Sequence, residues 1–165
     1  MAVTVTTDYT GRTLDLESFK TIQNPIGVVQ LSIGITNRPA KMVSGLQKLA
    51  QRVMSFLLTE LNTVIFDTNF GSTFLTDAFR ANGQNLGMLS AMGTFAAAYV
   101  EQSIKEDDAS GYYPDIPDDE KLDTLFLTNL TVTPDYTTAR FEFTLTTAAG
   151  SDYEFVIPVN EAIIS

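Results

Sequence analysis

The amino-acid sequence predicts an α+β domain in which two long helices and one short helix pack on a C-terminal antiparallel β-meander. Segments 41–61 and 85–105 repeat apolar residues at the three- and four-residue spacing of a helix buried on one face. The region after residue 120 instead alternates apolar and polar residues, as the strands of a half-buried sheet do. We assign residues 1–26 to an extended N-terminal arm and residues 27–165 to a single domain.

The first half of this domain begins with a strand at 27–36, which β-branched residues in alternate positions predict. The helix at 41–61 follows. The residues at the spacing of its predicted inner face are Met42, Leu46, Leu49, Val53, Phe56, Leu57 and Glu60. Its predicted polar face comprises Lys41, Gln47, Lys48, Gln51 and Arg52. Residues 62–72 form a connector, because β-branched and aromatic residues interrupt the helical period there. A short helix is predicted at 73–81.

The second half begins with the helix at 85–105, whose many Gly, Ala and Ser residues permit close approach to a neighbouring element. Its predicted inward residues are Leu86, Leu89, Met92, Ala96, Tyr99 and Val100. Residues 106–120 are read as a solvated acidic loop, because their carboxylates lack the spacing of a calcium-binding EF-hand. Three strands complete the domain. They are marked by Leu125, Leu127, Leu130 and Val132, by Phe141, Phe143 and Leu145, and by Tyr153, Phe155 and Ile157.

The composition argues against catalysis. The chain has 165 residues, 44% of them hydrophobic, which is enough for a core without disulfides or metals. It contains neither cysteine nor histidine, so thiol nucleophiles, Ser-His-Asp machinery and the commonest metal ligand are excluded. We therefore predict a structural subunit rather than an enzyme, with no catalytic residue, no cofactor and no metal site.

The net charge of −10 argues against two classes of partner. An acidic surface repels both phosphate backbones and anionic membrane faces, so neither nucleic acid nor a membrane is expected to bind directly. The longest apolar stretch, 86–100, is shorter than the roughly 20 residues of a spanning helix. The N-terminus lacks the pattern of a signal peptide, and we expect a soluble protein assembled in the cytoplasm.

Two weaker features remain open. A pair of carboxylates drawn from Glu60, Asp67 and Asp77 would be needed for glycoside hydrolysis, but nothing in the sequence fixes their separation. The strands in 138–159 carry many threonines and few lysines, so an edge there can accept a strand from another chain. A strand of the N-terminal arm can equally well cover that edge.

Three segments resemble a known family. Phe56-Leu57-Leu58-Thr59 ends the first helix, and Phe66-Asp67-Thr68-Asn69-Phe70-Gly71-Ser72 is followed by the short helix Leu75-Thr76-Asp77-Ala78-Phe79. The turn Pro134-Asp135-Tyr136-Thr137 then precedes the strand at 140–147. In this order they resemble the baseplate wedge, or sheath-initiator, family of contractile phage tails. That family is sometimes called lysozyme-like and is related to a type VI secretion baseplate component.

The resemblance implies six copies around the tail tube of a virion baseplate. It implies a wedge-binding segment at Phe66, Asp67, Asn69, Phe70 and Gly71. It also implies a C-terminal sheet to which the tail sheath protein adds strands, so we expect sheath contacts at Glu142, Thr144, Thr146, Glu154 and Val156. The chain departs from the family at Thr68, where the family has proline, and at 118–121, where it lacks the Glu-Pro-Arg signature.

Two other functions are kept as alternatives. One is a glycan hydrolase of the tail, for which Asp67 would be a candidate residue. The other is a tail completion or adaptor protein of similar α+β composition.

Overall fold

A computed structural model describes residues 15–22, 28–31, 42–80, 85–111 and 116–160 of the chain. Within them the predicted α+β class and the C-terminal three-stranded antiparallel meander are confirmed. The helices are α1 (Leu46–Leu58), α2 (Phe74–Arg80) and α3 (Leu86–Ala109). The strands are β1 (Asp15–Leu16), β2 (Phe19–Ile22), β3 (Val28–Leu31), β4 (Met42–Val43), β5 (Leu122–Val132), β6 (Thr138–Thr147) and β7 (Asp152–Asn160).

The main sheet extends beyond the predicted meander. Its strand order is β2-β3-β7-β6-β5, with β6 antiparallel to both of its neighbours. The added strand β3 pairs with β7 in parallel, through Val28 and Val156, and β2 pairs antiparallel with β3. A separate ribbon joins β1 to β4. Of the predicted strand at 27–36, only 28–31 is described, and residues 27 and 32–36 lie outside the described residues.

Two irregularities in β5 keep its leucines and Val132 on one face. The pairing register with β6 shifts between Leu122 and Thr124, and again between Leu127 and Asn129. Each shift inserts one extra residue and so reverses the alternation of side chains. Leu127 and Leu130, three residues apart, therefore both pack against the core, as predicted from their hydrophobicity.

The core lies between this face of the sheet and the three helices. Phe141, Phe143 and Leu145 of β6 are fully buried, as predicted. The ring of Phe74, on α2, packs edge-on against Phe141 and Phe143 at centroid distances of 5.0 and 5.7 Å. On α3, a side chain at Gly93 would approach Leu127 to 3.0 Å, so glycine there allows the helix to lie close to β5.

The two long helices have different ends from those predicted. α1 begins at Leu46 rather than at 41, because β4 occupies 42–43 and Gly45 has a positive φ of 62°. α3 continues to Ala109, beyond the predicted end at 105. Its last turn is acidic, which is unfavourable at a helix C-terminus. Arg52 of α1 compensates by pairing with Asp107 and, at 2.6 Å, with Asp108.

Part of the predicted N-terminal arm packs on the domain. Gln51 of α1, predicted to lie on the polar face, is only 3% exposed. Its side-chain amide donates to the carbonyl oxygen of Leu16 at 2.8 Å and accepts from the backbone N–H of Ser18 at 2.6 Å. The prediction for Gln51 was wrong because the covering segment is distant in sequence. Residues 1–14 and 23–26 of the arm lie outside the described residues.

None of the helices in the described ranges is long and apolar enough to span a bilayer.

Candidate protein-interaction site

One candidate surface is the loop of residues 61–71 between α1 and α2, here called the Phe66 loop. Its two ends are joined by backbone hydrogen bonds. The N–H of Ser72 donates to the carbonyl oxygen of Thr59 at 2.9 Å, and the N–H of Leu61 donates to that of Ser72 at 3.1 Å. A loop closed at its base in this way is an Ω-type loop.

The tip of the Phe66 loop is apolar and exposed. Ile65 is 87% exposed and Phe66 is 99% exposed. Single exposed apolar side chains are common on protein surfaces, but two consecutive ones on a closed loop form a concentrated apolar tip. Large aromatic side chains often contribute most of the binding energy at a protein interface. The position of Phe66 is therefore suited to its predicted role in wedge binding.

The other four predicted wedge-binding residues shape this loop. Asp67 and Asn69 are exposed beside the tip, and the Asp67 carboxylate accepts a hydrogen bond from the Asn69 N–H at 3.1 Å. The Phe70 ring instead turns inward and packs on Phe56 with centroids 4.3 Å apart. Gly71 is buried with a φ of +109°. Its backbone lies against the end of α1, where no side chain fits.

The candidate hydrolytic carboxylates have structural partners. The Glu60 carboxylate accepts from the Thr76 hydroxyl at 2.6 Å, and that of Asp77 accepts from the Thr73 hydroxyl at 2.6 Å. Both contacts tie α2 to the preceding chain. Among the described residues no group of three or more acidic side chains is placed to hold a metal ion. The glycan-hydrolase alternative stays a prediction.

Three of the residues predicted to contact the sheath lie on a strand that has no free edge. Glu142, Thr144 and Thr146 lie on the central strand of the meander, whose two sides are paired with β5 and β7. Thr144 is only 8% exposed, and its hydroxyl lies 2.6 Å from that of Thr128. A strand that is paired on both sides has no free backbone groups for a partner. The sequence alone did not determine which strand is central.

The β7 edge is also occupied where the prediction placed it. Val156 is 4% exposed and pairs with Val28 of β3. Glu154 is exposed on the face of the sheet that lies opposite the helices. Strand β3 therefore covers this edge from within the chain, which the sequence analysis had kept as an alternative. The covering strand comes from 28–31 rather than from the N-terminal arm.

The open side of the meander is the outer edge of β5. In the strand order β5 is terminal, and no strand in the described part of the chain pairs with its outer side. It has eleven residues, against four in β2 at the other end of the sheet. An unpaired edge of this length is a template for pairing with another chain. β5 is thus the better candidate edge.

A groove of about 590 Å³ runs between this edge and α3. We call it the α3–β5 groove. Its lining includes Ala97 and Ala98 on the helix and Leu125 and Phe126 on the strand. Farther toward the start of α3, Thr94 connects it to a second depression lined by Leu127 and neighbouring β5 residues. The small helix side chains leave room beside the strand, so a further extended segment has space to lie there.

One charged side chain of α3 reaches the β5 edge. The Glu101 carboxylate accepts a hydrogen bond from the backbone N–H of Leu125 at 2.9 Å and pairs with Lys105 at 2.7 Å. Burial raises the pKa of Glu101, but the hydrogen bonds from Lys105 and Leu125 outweigh it and hold the pKa below its ordinary value. The group is therefore ionised at neutral pH.

Next to the groove, α3 presents further apolar surface. Phe95 is 74% exposed, Met88 is 44% exposed and Tyr99 is 41% exposed. Met88, Phe95 and Tyr99 occupy positions i, i+7 and i+11, so they form one stripe along the helix. The prediction that Tyr99 faces the core was wrong, because the buried face turns through Leu89, Gly93 and Val100 instead. A helix that is apolar on more than one face is usually covered on both.

The acidic segment at 106–120 is not wholly a solvated loop. Residues 106–109 belong to α3, and residues 112–115 lie outside the described residues. Glu120 is 4% exposed. Its carboxylate accepts from the Gly45 N–H at 3.0 Å and pairs with Lys48 at 2.9 Å, at the start of α1. A carboxylate is favourable at a helix N-terminus, and α1 has no acidic residue of its own in its first turn.

Comparisons with known protein families, with functionally described proteins and with solved structures gave no match to this chain. Within the described residues, the class that the fold defines is an α+β domain with one long open strand edge and two exposed apolar surfaces. Membership of the baseplate wedge family stays a prediction from the sequence motif.

Proposed function

We propose that this chain is a structural baseplate subunit of a contractile phage tail. It docks on the wedge around the tail tube and initiates the sheath by accepting a strand of the sheath protein at the β5 edge. The observation that carries the proposal is the outer side of β5, which no described strand pairs, beside the α3–β5 groove. The sequence-based prediction placed the sheath contacts on β6 and β7, whereas the proposal places the accepting edge on β5.

Strand addition at β5 combines two kinds of interaction. The backbone groups of β5 supply hydrogen bonds, and the groove supplies contacts for alternate side chains of the added strand. Phe126, which is 47% exposed and lines the groove, provides apolar area beside it. This arrangement favours a partner segment that is extended, with small or apolar side chains toward α3.

The Phe66 loop is proposed as the contact with the wedge proteins. It lies between α1 and α2, whereas the groove lies between α3 and β5, so the two surfaces are formed by different elements. A subunit that links the wedge to the sheath needs two such surfaces. The net charge of −10 favours partner faces that carry positive charge. Six copies in a virion baseplate are expected.

The β5 proposal is tested by filling the groove. Because the chain has no cysteine, a single introduced thiol can be alkylated selectively. Ala98→Cys places it on an exposed residue that lines the groove. We expect baseplates that contain the chain alkylated there with a bulky maleimide to start no sheath, as judged by electron microscopy of assembled tails.

The matched control is Ala91→Cys with the same label, because Ala91 is exposed on α3 but does not line the groove. These baseplates, and those with unlabelled Ala98→Cys, should start sheath normally. Sheath growth from the labelled Ala98→Cys baseplates would refute strand addition at β5.

The wedge contact is tested with Phe66→Ser. Loss of a central interface aromatic typically costs about 2 kcal/mol, which weakens binding roughly thirtyfold. We therefore expect the variant to be incorporated poorly into baseplates, measured as copies per particle. Since the Phe66 side chain is 99% exposed, the free energy of unfolding should change by less than about 0.5 kcal/mol.

Phe95→Ser serves as the comparison, because it removes another exposed aromatic ring outside the Phe66 loop. It should leave incorporation into the baseplate intact. Equal incorporation of the Phe66→Ser and wild-type chains would exclude the loop as the wedge contact.

A further inference from the structure

We propose that Glu101 blocks the β5 edge in the free protein and that an incoming strand has to displace it. The inference rests on the proposed function only for the identity of that strand. The protection of the edge is a property of this chain alone. The first observation is the hydrogen bond from the Leu125 N–H to the Glu101 carboxylate, 2.9 Å long.

The direction of this bond identifies the side of β5 that is blocked. Leu125 lies opposite Leu145 in the pairing with β6, yet its N–H is bonded to a side chain of α3. In an antiparallel pair the backbone groups of alternate residues point to opposite sides of the strand. The Leu125 N–H therefore points to the outer side, where the first carbonyl of an added strand would bind.

A second contact, to Lys105, also holds the Glu101 carboxylate in place. Its second oxygen pairs with Lys105, one turn farther along α3, at 2.7 Å. A glutamate four residues before a lysine is the favourable order on a helix. The helix thus fixes the Glu101 side chain across the groove. When a strand replaces the contact to Leu125, the carboxylate keeps Lys105 as a partner and is not left unpaired.

This arrangement limits unwanted pairing of the edge. Long, unpaired edges are sites of edge-to-edge association, and natural proteins place charged side chains there to prevent it. The surrounding groove is lined by small and apolar residues such as Ala98 and Phe126, which would themselves favour association. Lys105 and Glu106 are the other charged side chains that line it. Of the three, Glu101 bonds the strand backbone.

The block can be measured without any partner. In Glu101→Ala the Leu125 N–H loses its acceptor, so hydrogen–deuterium exchange at that amide should accelerate by about tenfold in the full chain. Glu106→Ala is the matched control, since it removes a neighbouring carboxylate that lines the same groove and bonds Gln102 instead. Equal exchange rates at Leu125 in the two variants would overturn the proposal.

The second readout is self-association in sedimentation velocity. The Glu101→Ala chain should associate more strongly than the wild-type and Glu106→Ala chains, and alkylated Ala98→Cys in the same chain should reverse the effect. Unchanged association in Glu101→Ala would refute the protective role. These results do not depend on the sheath, so a failure of strand addition in assembled tails would count against the proposed function alone.

Discussion

Replacement of Gly71 by alanine should destabilise the chain by about 3 kcal/mol, which corresponds to a melting temperature lower by roughly 10 °C. Two effects add. The backbone of Gly71 has a φ of +109°, which residues with a side chain rarely adopt. A Cβ atom there would also lie 2.6 Å from the carbonyl oxygen of Thr59, a distance that real contacts do not reach.

The backbone has little freedom to relieve this clash. The Thr59 carbonyl already accepts the hydrogen bond from Ser72 that closes the Phe66 loop, so moving it would open the loop. Gly150→Ala is the matched control, because Gly150 has a φ of +78° and a Cβ atom there would meet nothing within 4 Å. It should cost only about 1 kcal/mol. Both free energies are measured by chemical denaturation.

If Gly71→Ala and Gly150→Ala lower the free energy of unfolding by the same amount, the close contact to Thr59 has no energetic importance and the Phe66 loop is adaptable. The prediction also separates two explanations for glycine in the Phe66 motif. Gly71 is needed for the shape of the loop, whereas the exposed tip is formed by Phe66 itself. A residue placed in a binding motif by sequence resemblance can thus act only through the fold.

Local pattern predicted the core face of the β-meander well. The alternation of Phe141, Phe143 and Leu145 identified the inward face of β6, and all three are fully buried. Hydrophobicity identified Leu130 of β5 as well, although strict alternation from Leu127 would have placed it outside. The bulge between Leu127 and Asn129 resolves that conflict. Because the burial of apolar area determines the register of β5, hydrophobicity predicted the position of Leu130 better than strict alternation did.

The candidate site was harder to predict because it depends on strand order. The sequence indicates which residues face the core but not which neighbour lies beside each strand. The parallel pairing of β3 with β7 joins segments far apart in the chain, through Val28 and Val156. That pairing occupies the predicted edge and leaves β5 terminal. Met88 and Phe95 lie on a face of α3 other than its buried face. Their apolar side chains were a signal in the sequence for a contact surface on α3.

Polar residues with distant partners were the other source of error. Gln51 reads as a surface residue of a helix, and Glu120 reads as part of an acidic loop. Both are buried because segments far along the chain supply their hydrogen-bond partners. A buried polar group is tolerated only when it is paired, and local periodicity does not reveal such pairs.

Removal of the Glu120 carboxylate should therefore be costly. We expect Glu120→Ala to lower the free energy of unfolding by about 2 kcal/mol, because the Gly45 N–H loses its acceptor and the start of α1 loses a favourable negative charge. The Lys48 side chain is 25% exposed, so water can hydrate its ammonium group in the variant. The loss of stability is therefore smaller than for a fully buried ion pair. Chemical denaturation measures the change.

Two variants separate the contributions of charge and hydrogen bonding at Glu120. Glu120→Gln retains an oxygen that can accept from Gly45 but has no charge, so it should lose about 1 kcal/mol. Asp118→Ala removes a carboxylate that is 71% exposed and lies 3.4 Å from Lys121, so it should cost less than about 0.5 kcal/mol. A loss in Glu120→Ala as small as that in Asp118→Ala would mean that α1 does not depend on this buried carboxylate. Glu120 would then have to be explained by an interaction outside the start of the helix.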